Sequence, residues 1–366
     1  MKVLQVTTHM DIGGIANYVF TLSKALKARG AEVVVASSGG DMEGALSGCG
    51  IPHRRIDIRT KFEFGPKALK SAFALVRIVK EERVDIIHAH SRVSQVASAV
   101  ASLVTGIPYV TTCHGYFRKR LRGVIDTWGA KVIAISAAVR EHLRDDLGVG
   151  VNRIALVYSG VDTGRFSKEL SASEIAAVKK EIGLKDGPVV GTIGRLSPVK
   201  GHEHLVRALK GIIEANPAAQ GLIVGSGEEE RPLKTLAAGL GIGDSVIFVA
   251  SCPDTHKFLS VMDVFVFPSV KEGLGIALLE ALASGRAAVA SSIGGIEDII
   301  TSGSDGILVP VGDVCAIAEA VKALLADEPR RRLMGEKGRA LVREKFRLER
   351  MAEEMMDVYK KVITAS

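Results

Sequence analysis

Two carboxylates eight residues apart, Glu272 and Glu280, carry the clearest chemical information in this sequence. The apolar stretch 263–268 before them predicts a short buried strand, and the stretch 276–283, rich in Ala and Leu, predicts a helix. Glu272 is then expected in the loop at the strand's carboxyl end, with Glu280 about two turns along the helix on roughly the same side. Ligands of open α/β sheets bind at such strand ends. One carboxylate would meet the hydroxyls of a sugar and the other a ribose, with glycine amides donating between them. A solvated helix face is the alternative interpretation.

A second pattern places two cations near the start of a helix. Gly194-Arg195 follows the predicted strand 188–193, and Lys200-Gly201 stands just before a helix. A guanidinium and an ammonium beside free helix amides form a strong arrangement for a diphosphate. Basic residues there oppose the helix dipole, and a local cost of that kind often marks a functional site. The alternative is a pair of surface charges on a loop.

Two glycine turns also follow predicted strands. Gly13-Gly14 comes after the first strand and opens a helix, where glycine lets a backbone approach a phosphate. The turn differs from the G-x-G-x-x-G pattern of dinucleotide enzymes, and a simple tight turn would look the same. Gly294-Gly295 follows the strand 287–290 and is predicted to lie near the Glu272 loop if the sheet is parallel.

Histidines end two more predicted strands of the first half. His114 lies in Thr-Cys-His-Gly at 112–115 and is expected to face the same cleft as Gly13, although a structural histidine would fit as well. His88 and His90 form an H-x-H that lacks a third and fourth metal ligand, and they are interpreted as cleft lining. The sequence contains no D-x-D, the carboxylate pair that usually holds a metal–diphosphate complex. The prediction is therefore a site without metal or cofactor, in which Arg195 and Lys200 neutralise a diphosphate.

The composition is that of a soluble globular chain. Its 366 residues are 47% hydrophobic and 24% charged, which suits two α/β domains. No apolar run reaches the roughly 18 residues of a membrane span, and the amino-terminal residues lack the features of a signal peptide, so a cytoplasmic location is expected. Four scattered cysteines give neither a zinc pattern nor a disulfide framework, and buried free thiols are predicted.

The charge is concentrated in the first half. The net charge is +7, and residues 1–165 hold 23 Lys and Arg against 14 Asp and Glu. One basic region spans Arg54 to Arg83, and a short second run contains Arg118, Lys119, Arg120 and Arg122. Such a face suits an anionic membrane or a phosphorylated substrate, with plain solubility as the alternative. No nucleic-acid-binding pattern accompanies it, so no nucleic-acid partner is expected.

Strands and helices alternate through two regions. Strands are predicted at 3–7, 32–36, 53–58, 85–88, 109–113, 131–135 and 154–157, with helices at 15–28, 66–82, 93–105 and 137–147. After a polar stretch the strands resume at 188–193, 221–224, 245–249, 264–267, 287–290 and 306–309. This alternation predicts α/β domains with parallel, doubly wound sheets. The domains are predicted at 1–165 and 188–346, joined by a linker at 166–187 and followed by a carboxyl-terminal helix at 347–366.

Taken together and in order, these motifs resemble the retaining GT-B glycosyltransferases of family 4 (glycosyl transferases group 1). The resemblance spans nearly the whole chain. It comprises Gly13-Gly14, His114-Gly115, Ala134-Ile-Ser136, Ser159-Gly160-Val161-Asp162, Gly194-Arg195, Lys200-Gly201, Gly225-Ser-Gly227, Pro268-Ser269, the E-x7-E of Glu272 and Glu280, and Gly294-Gly295.

The resemblance implies a fold and a role for each matching residue. The fold would be two Rossmann-like domains facing a cleft, with the last helix returning to the first domain. Arg195 and Lys200 would hold the donor's diphosphate, Glu280 its ribose, and Glu272 the sugar hydroxyls. The backbone of Gly194, Gly273, Leu274, Gly275 and Ile276 would complete the donor site. Gly13 and Gly14 would approach the phosphate, and His114 would contact the donor sugar. Arg195, Lys200, Glu272 and His114 would form the catalytic set.

Three departures from the family pattern stand out. Leu274 occupies a position where Phe is frequent, which would alter donor preference. Ser159 replaces an Asn, and Arg286-Ala287 stands where Gly-x-Pro is common. Both of these are interpreted as structural changes.

The resemblance also implies a reaction. A sugar would move from a nucleoside-diphosphate donor, expected to be UDP-linked, to a saccharide or lipid-linked acceptor, with retention and without a protein nucleophile. Assembly of bacterial surface polysaccharide or lipopolysaccharide, at the inner face of the cytoplasmic membrane, would suit the basic first domain. A non-hydrolysing nucleotide-sugar epimerase and a non-catalytic sugar-nucleotide-binding protein share the architecture and stay as alternatives.

Overall fold

The chain folds into two compact α/β units. A computed structural model describes residues 1–60, 62–117, 125, 127–252 and 254–365. The first unit consists of Met1–Gly160 together with Leu348–Ser366, and the second of Val161–Arg347. The basic run at 118–122 lies outside the described residues, so its predicted role stays a prediction.

The first unit contains a seven-stranded parallel sheet in the order β3-β2-β1-β4-β5-β6-β7. Its strands are β1 (Lys2–Val6), β2 (Glu32–Ser37), β3 (His53–Arg55), β4 (Ile86–Ala89), β5 (Tyr109–Cys113), β6 (Lys131–Ala134) and β7 (Ile154–Leu156). Its helices are α1 (Gly14–Ala28), α2 (Glu43–Gly48), α3 (Pro66–Glu82), α4 (Arg92–Thr105) and α5 (Ala137–Glu141). The strands are apolar because helices cover the sheet; α3 and α4 bury Leu75 and Ala97 against it.

The second unit contains a six-stranded parallel sheet in the order β10-β9-β8-β11-β12-β13. Its strands are β8 (Val189–Ile193), β9 (Gln220–Val224), β10 (Val246–Val249), β11 (Val264–Phe267), β12 (Ala287–Ser291) and β13 (Ile307–Val309). Its helices are α6 (Thr163–Phe166), α7 (Ala172–Ile182), α8 (His202–Ala215), α9 (Glu230–Gly239), α10 (Thr255–Ser260), α11 (Ile276–Ala283), α12 (Val314–Ala326) and α13 (Glu328–Lys345). The two doubly wound sheets confirm the predicted fold class.

The strand order of each sheet points to a place for ligands. The first sheet changes direction between β1 and β4, and the second between β8 and β11. Loops on the two sides of such a switch point diverge and leave a crevice at the carboxyl ends of the strands. The predicted site residues follow these strands: Gly13 comes after β1, Arg195 after β8 and Glu272 after β11.

The unit boundaries differ from the predicted ones. The predicted linker, 166–187, contains the last residue of α6 and all of α7, which belong to the second unit. The amphipathic pattern carries enough apolar side chains to pack these short helices, since Phe166 and Val178 are buried. Serine caps α7, because Ser171 accepts a hydrogen bond from the Glu174 amide and Glu174 reaches back to the Ser171 amide.

The last helix, α14 (Leu348–Thr364), belongs to the first unit. Its apolar stripe buries Met351, Met355 and Tyr359. The hydroxyl of Tyr359 lies 2.6 Å from Nδ1 of His88 and accepts a hydrogen bond from the Gln5 amide at 3.3 Å. The helix is therefore attached to the sheet by buried polar contacts as well as by apolar packing.

Two smaller predictions need correction. The segment 137–147 is not one α-helix, because π-helical turns at His142–Asp146 follow α5. The four cysteines are free, but only Cys113 is buried and Cys315 is exposed. Among the described residues, no helix is long and apolar enough to cross a bilayer.

Candidate active site

The turn after β8 positions Arg195 and Lys200 at the switch point of the second sheet. Arg195 is exposed just beyond the strand, and Lys200 ends a 3-10 turn, Pro198–Lys200. His202 anchors this turn, because its Nε2 donates to the Arg195 carbonyl at 3.1 Å. Burial lowers the pKa of His202 to about 4, so the ring is neutral in this role.

Gly201 joins the turn to α8 in a conformation that requires glycine. Its φ of 63° lies in the left-handed region, and a Cβ there would fall 2.1 Å from the Pro268 carbonyl oxygen. The backbone of the loop after β11 thus presses against the start of α8. A further hydrogen bond, from the Val270 amide to the Val199 carbonyl at 2.9 Å, joins the same two segments. The two loops that carry the predicted donor residues are held together by backbone contacts.

Glu272 and Lys200 form an ion pair across these loops. Both side chains are largely shielded from solvent, with 16% and 26% of their surfaces exposed. The Lys200 ammonium also lies 5.6 Å from the centre of the Phe267 ring, a cation–π contact. The structure therefore brings together the cation predicted for the diphosphate and the carboxylate predicted for the sugar.

Gly275 turns the chain from the Glu272 loop into α11. Its φ of 97° is in the left-handed region, and a Cβ would lie 3.2 Å from the Phe267 ring. Gly273, Leu274 and Gly275 are buried, and Ile276 begins the helix. The first amides of a helix have no partner within it and carry its positive dipole end, so the backbone here can donate to an anion or a sugar oxygen.

Glu280 lies on α11, whereas Glu272 lies in the loop before that helix, and the expectation that the two carboxylates face the same side stays a prediction. Since α11 begins at Ile276, Glu280 lies only in its second turn. Its carboxylate is mostly buried and accepts a hydrogen bond from the Thr255 hydroxyl at 3.1 Å. Loss of solvation raises the pKa of Glu280 to about 7, although the Thr255 hydroxyl and the charge of Arg165 act in the opposite direction.

Two close backbone approaches complete the site in the second unit. A Cβ on Gly225, after β9, would lie 1.9 Å from the Gly194 carbonyl oxygen. A Cβ on Gly295, after β12, would lie 2.0 Å from the Gly273 carbonyl oxygen. The glycine turn at 294–295 therefore does lie against the Glu272 loop, because β11 and β12 are parallel neighbours.

The glycines predicted for the first unit behave differently. Gly13 precedes α1 with an extended backbone that any residue adopts, and Gly14 opens the helix. A Cβ on Gly14 would meet nothing within 4 Å, and one on Gly13 only the Asp11 carbonyl at 3.8 Å. Neither packing nor backbone conformation requires glycine at these two positions.

His114 contacts α1 within the first unit. The Tyr18 ring of α1 packs edge-on against it, with centroids 4.8 Å apart. Burial lowers the pKa of His114 to about 3, so the ring is neutral. His88 and His90, interpreted as cleft lining, are instead interior residues, 0% and 2% exposed, in a hydrogen-bonded cluster with Gln5 and Tyr359.

Sequence reasoning missed several residues of the site. Thr255, Phe267 and His202 contact Glu280, Lys200 and the Arg195 carbonyl, respectively. Phe267 ends a predicted strand and His202 follows Lys200-Gly201, so their places in the sequence could have identified both as candidate site residues. Thr255 opens a short helix elsewhere in the chain, and no sequence signal places it beside Glu280.

This chain belongs to a glycosyltransferase family. Residues 12–165 match Glycosyltransferase Family 4, and residues 174–341 match Glycosyl transferases group 1. These matches confirm the resemblance read from the motifs and establish the chain as a glycosyltransferase of the GT-B fold class.

Individual relatives cover most of the chain. α-Maltose-1-phosphate synthase of Mycolicibacterium smegmatis is 32% identical over 77% of this chain and 80% of its own. Phosphatidyl-myo-inositol mannosyltransferase of Mycobacterium leprae is 31% identical over 96% and 94%. The crystal structure of Anabaena HepE in complex with UDP and glucose superposes with a TM-score of 0.87, at 21% identity, over 98% of this chain and 99% of HepE, which supports the fold.

Proposed function

We propose that this glycosyltransferase moves a sugar from a UDP-sugar to a saccharide or lipid-linked acceptor, with retention and without a metal ion. The observation that carries the proposal is the ion pair of Lys200 and Glu272 at the carboxyl ends of β8 and β11, where the second sheet changes direction, with Arg195 exposed in the same loop as Lys200. A diphosphate needs such cations, and a sugar needs such a carboxylate. The UDP and glucose bound by the structurally similar HepE agree with a donor of this kind.

The chemistry follows from the charges that develop. The bond between the anomeric carbon and the diphosphate oxygen breaks, so positive charge grows on the sugar ring and negative charge on the leaving diphosphate. Arg195, Lys200 and the amides at the start of α11 would stabilise that leaving group. The acceptor hydroxyl attacks from the leaving-group face and gives its proton to the departing diphosphate. No covalent bond forms between the sugar and a protein side chain. Glu272 binds and positions the sugar.

The Lys200–Glu272 ion pair has a definite part in this proposal. An ammonium has three N–H donors, so Lys200 can keep one on Glu272 and turn the others to a diphosphate. The pair then holds Lys200 in place before the donor arrives, which lowers the entropy lost on binding. Glu272 keeps free lone pairs for the hydroxyls of the sugar.

The acceptor proposal rests on the surface of the first unit. Four large apolar side chains near the start of α3 are more than half exposed: Phe62 (71%), Phe64 (63%), Leu69 (54%) and Phe73 (61%). We call these four residues the apolar surface. Exposed apolar residues grouped in this way mark an interaction site.

The exposed charges of α3 near the apolar surface are mainly basic, although Arg77 pairs with Glu81 and Lys67 pairs with Asp57. Lys70, Arg77 and Lys80 are exposed on the same helix, and residues 62–80 contain a single acid, Glu63. Glu63 is buried, with its carboxylate 3.6 Å from the Arg92 guanidinium. Exposed aromatic rings beside lysines are typical of segments that lie in an anionic lipid interface. The similar mannosyltransferase from M. leprae is named for a phosphatidylinositol substrate. We therefore place the acceptor at the cytoplasmic face of a membrane, in surface polysaccharide or lipopolysaccharide synthesis.

A direct assay tests the proposed reaction. The purified protein is incubated in EDTA with a panel of nucleoside-diphosphate sugars and a lipid extract, and the products are analysed by NMR. Transfer with the anomeric configuration of the donor retained is the expected result. An inverted product or dependence on an added metal would contradict the proposal. Isomerised donor without transfer would indicate an epimerase, and unchanged donor with tight binding would indicate a non-catalytic protein.

A further inference from the structure

A buried chain of polar side chains runs from the carboxyl-terminal helix to His114 within the first unit. Its members, in order of contact, are Thr112, His88, Tyr359, Gln5, His90 and His114. Every contact is 2.6 Å or 3.3 Å between heavy atoms. All members except His114 are less than 3% exposed, so water does not compete for these bonds.

The direction of each bond follows from Gln5. The Gln5 amide nitrogen donates to the Tyr359 hydroxyl, and its oxygen therefore faces Nε2 of His90, 2.6 Å away. An amide oxygen only accepts, so Nε2 of His90 carries a hydrogen. Burial keeps the pKa of His90 well below its usual value, so the ring is neutral and its Nδ1 is an acceptor.

The same logic reaches His114. Nδ1 of His90 lies 3.3 Å from Nε2 of His114, so Nε2 of His114 is the donor. The His114 ring is also neutral, with a pKa of about 3 because of burial. Its second nitrogen, Nδ1, therefore carries a lone pair and accepts hydrogen bonds. A sugar hydroxyl, which donates, is the matching group.

At the other end of this series of hydrogen-bonded side chains, Tyr359 bonds to both Gln5 and His88. The Tyr359 hydroxyl accepts from Gln5 and donates to Nδ1 of His88, and Nε2 of His88 then donates to the Thr112 hydroxyl. If the Gln5 amide were turned over, every bond from Thr112 to His114 would reverse. Tyr359 belongs to α14, whose apolar side holds it in the interior. Rotation of the amide would therefore require the Tyr359 hydroxyl, His88 and the Thr112 hydroxyl to reverse their hydrogen bonds together.

We propose that Tyr359 is a positioning residue that fixes the tautomer of His114 through Gln5 and His90, so that Nδ1 of His114 stays an acceptor for a donor-sugar hydroxyl. The tautomer follows from the orientation of the Gln5 amide and from the neutral state of the two buried rings. Only the identity of the hydroxyl rests on the proposed function. The carboxyl-terminal helix thereby acts on His114, within the first unit, through the hydroxyl of Tyr359.

The first test is NMR of the full-length protein with ¹⁵N-labelled histidine rings, with His114 assigned by its loss in His114→Gln. The wild-type protein is expected to show one neutral form of His114, protonated at Nε2. In Tyr359→Phe the Gln5 amide loses its partner, and His90 and His114 are expected to show mixed tautomers. Tyr109→Phe is the matched control, because it removes a phenol from a partly buried ring in the same unit outside this chain. Protonation of His114 at Nδ1 in the wild type, or an unchanged tautomer in Tyr359→Phe, would overturn the proposal.

The second test separates a positioning role from general stability. With a UDP-sugar that the enzyme uses, Tyr359→Phe is expected to lower kcat/KM by about fivefold, the effect of one misdirected hydrogen bond. In the His114→Gln background the same substitution is expected to cost nothing more. An additional loss in that background would contradict action through His114. Full activity of His114→Gln alongside the expected tautomers would refute the sugar contact in the proposed function and leave the tautomer assignment intact.

Discussion

Lys200 and Glu272, 72 residues apart in the sequence, form an ion pair at the switch point of the second sheet. Two loops hold them there, since Gly201 lies against the Pro268 carbonyl and the Val270 amide donates to the Val199 carbonyl. An ion pair this shielded has to lose solvation before it forms. We infer that the ion pair, placed at the end of a strand, holds both side chains in position to bind an anionic ligand that carries hydroxyl groups.

The first prediction concerns this ion pair. Lys200→Ala removes a cation that would stabilise the leaving diphosphate, so kcat is expected to fall by about 100-fold or more while the fold persists. Lys257→Ala is the matched control, because it removes another ion pair of the same unit, 2.8 Å from Glu181, and is expected to leave kcat unchanged. Initial rates measure kcat for the two variants, and thermal melting checks that each variant is folded. Turnover near the wild-type rate in Lys200→Ala would show that Lys200 does not stabilise the leaving diphosphate.

The second prediction concerns the pH dependence of donor binding. Glu280 has a raised pKa of about 7, so it is largely protonated at pH 5 in the free protein. Ribose hydroxyls that donate to the carboxylate favour the ionised form. The affinity for a UDP-sugar is therefore expected to rise between pH 5 and pH 7, by at most about tenfold per unit, and then to level off. Calorimetry in buffers of different ionisation enthalpy should detect one proton released on binding.

Two variants sharpen this test. Glu280→Gln cannot titrate and is expected to bind with an affinity that does not change over this range. Thr255→Val removes the hydrogen bond that favours the ionised carboxylate, so the rise in affinity is expected at higher pH. If the affinity of the wild type is constant or falls as the pH rises, Glu280 does not bind the ribose through its carboxylate.

The third prediction concerns packing behind the turn after β8, which carries Arg195 and Lys200. Gly225→Ala places a methyl group 1.9 Å from the Gly194 carbonyl oxygen, so the loop before Arg195 must move. The free energy of unfolding is expected to fall by about 1–3 kcal/mol. Gly211→Ala is the control, since that glycine lies in α8 with nothing within 4 Å and the change is expected to stabilise by about 0.5–1 kcal/mol. Equal denaturation midpoints for Gly225→Ala and the wild type would contradict the close approach.

The fourth prediction concerns the apolar surface. Replacing Phe62, Phe64 and Phe73 by Ser is expected to abolish binding to vesicles that contain phosphatidylglycerol, because the rings supply the apolar part of the contact. Co-sedimentation with vesicles measures this. Leu333→Ser, at another exposed apolar residue in the second unit, is expected to bind like the wild type. Vesicle binding that survives the triple substitution would remove the apolar surface from the membrane proposal.

Much of the fold could be predicted from the sequence because buried parallel strands are short apolar runs between amphipathic helices. The glycine turns were also informative, since Gly201 and Gly275 need left-handed backbone conformations at the starts of helices. The segment 163–187 misled because short helices with one buried side chain each look polar. Phe166 and Val178 were too isolated to indicate packing.

The site was harder to predict because the spacing of residues in the sequence indicates which element each one follows, but not which distant residues it contacts. Arg195, Lys200 and Glu272 could be found as residues that follow strands, but the ion pair of Lys200 and Glu272 depends on the contact between two loops. The partners of Glu280 and His114 come from Thr255 and His90, on other elements. Side-chain pairing between distant segments is a product of packing, and no local pattern encodes it.

The most direct test of the central claim compares a nucleoside diphosphate with its monophosphate. Binding of UDP and UMP, with GDP and ADP alongside, is measured by calorimetry in EDTA for the wild type and for Lys200→Ala and Arg195→Ala. If these cations hold the diphosphate, the wild type binds UDP more tightly than UMP, and each substitution removes much of that difference while leaving UMP binding nearly unchanged. Equal UDP-to-UMP preference in all three proteins would contradict the account.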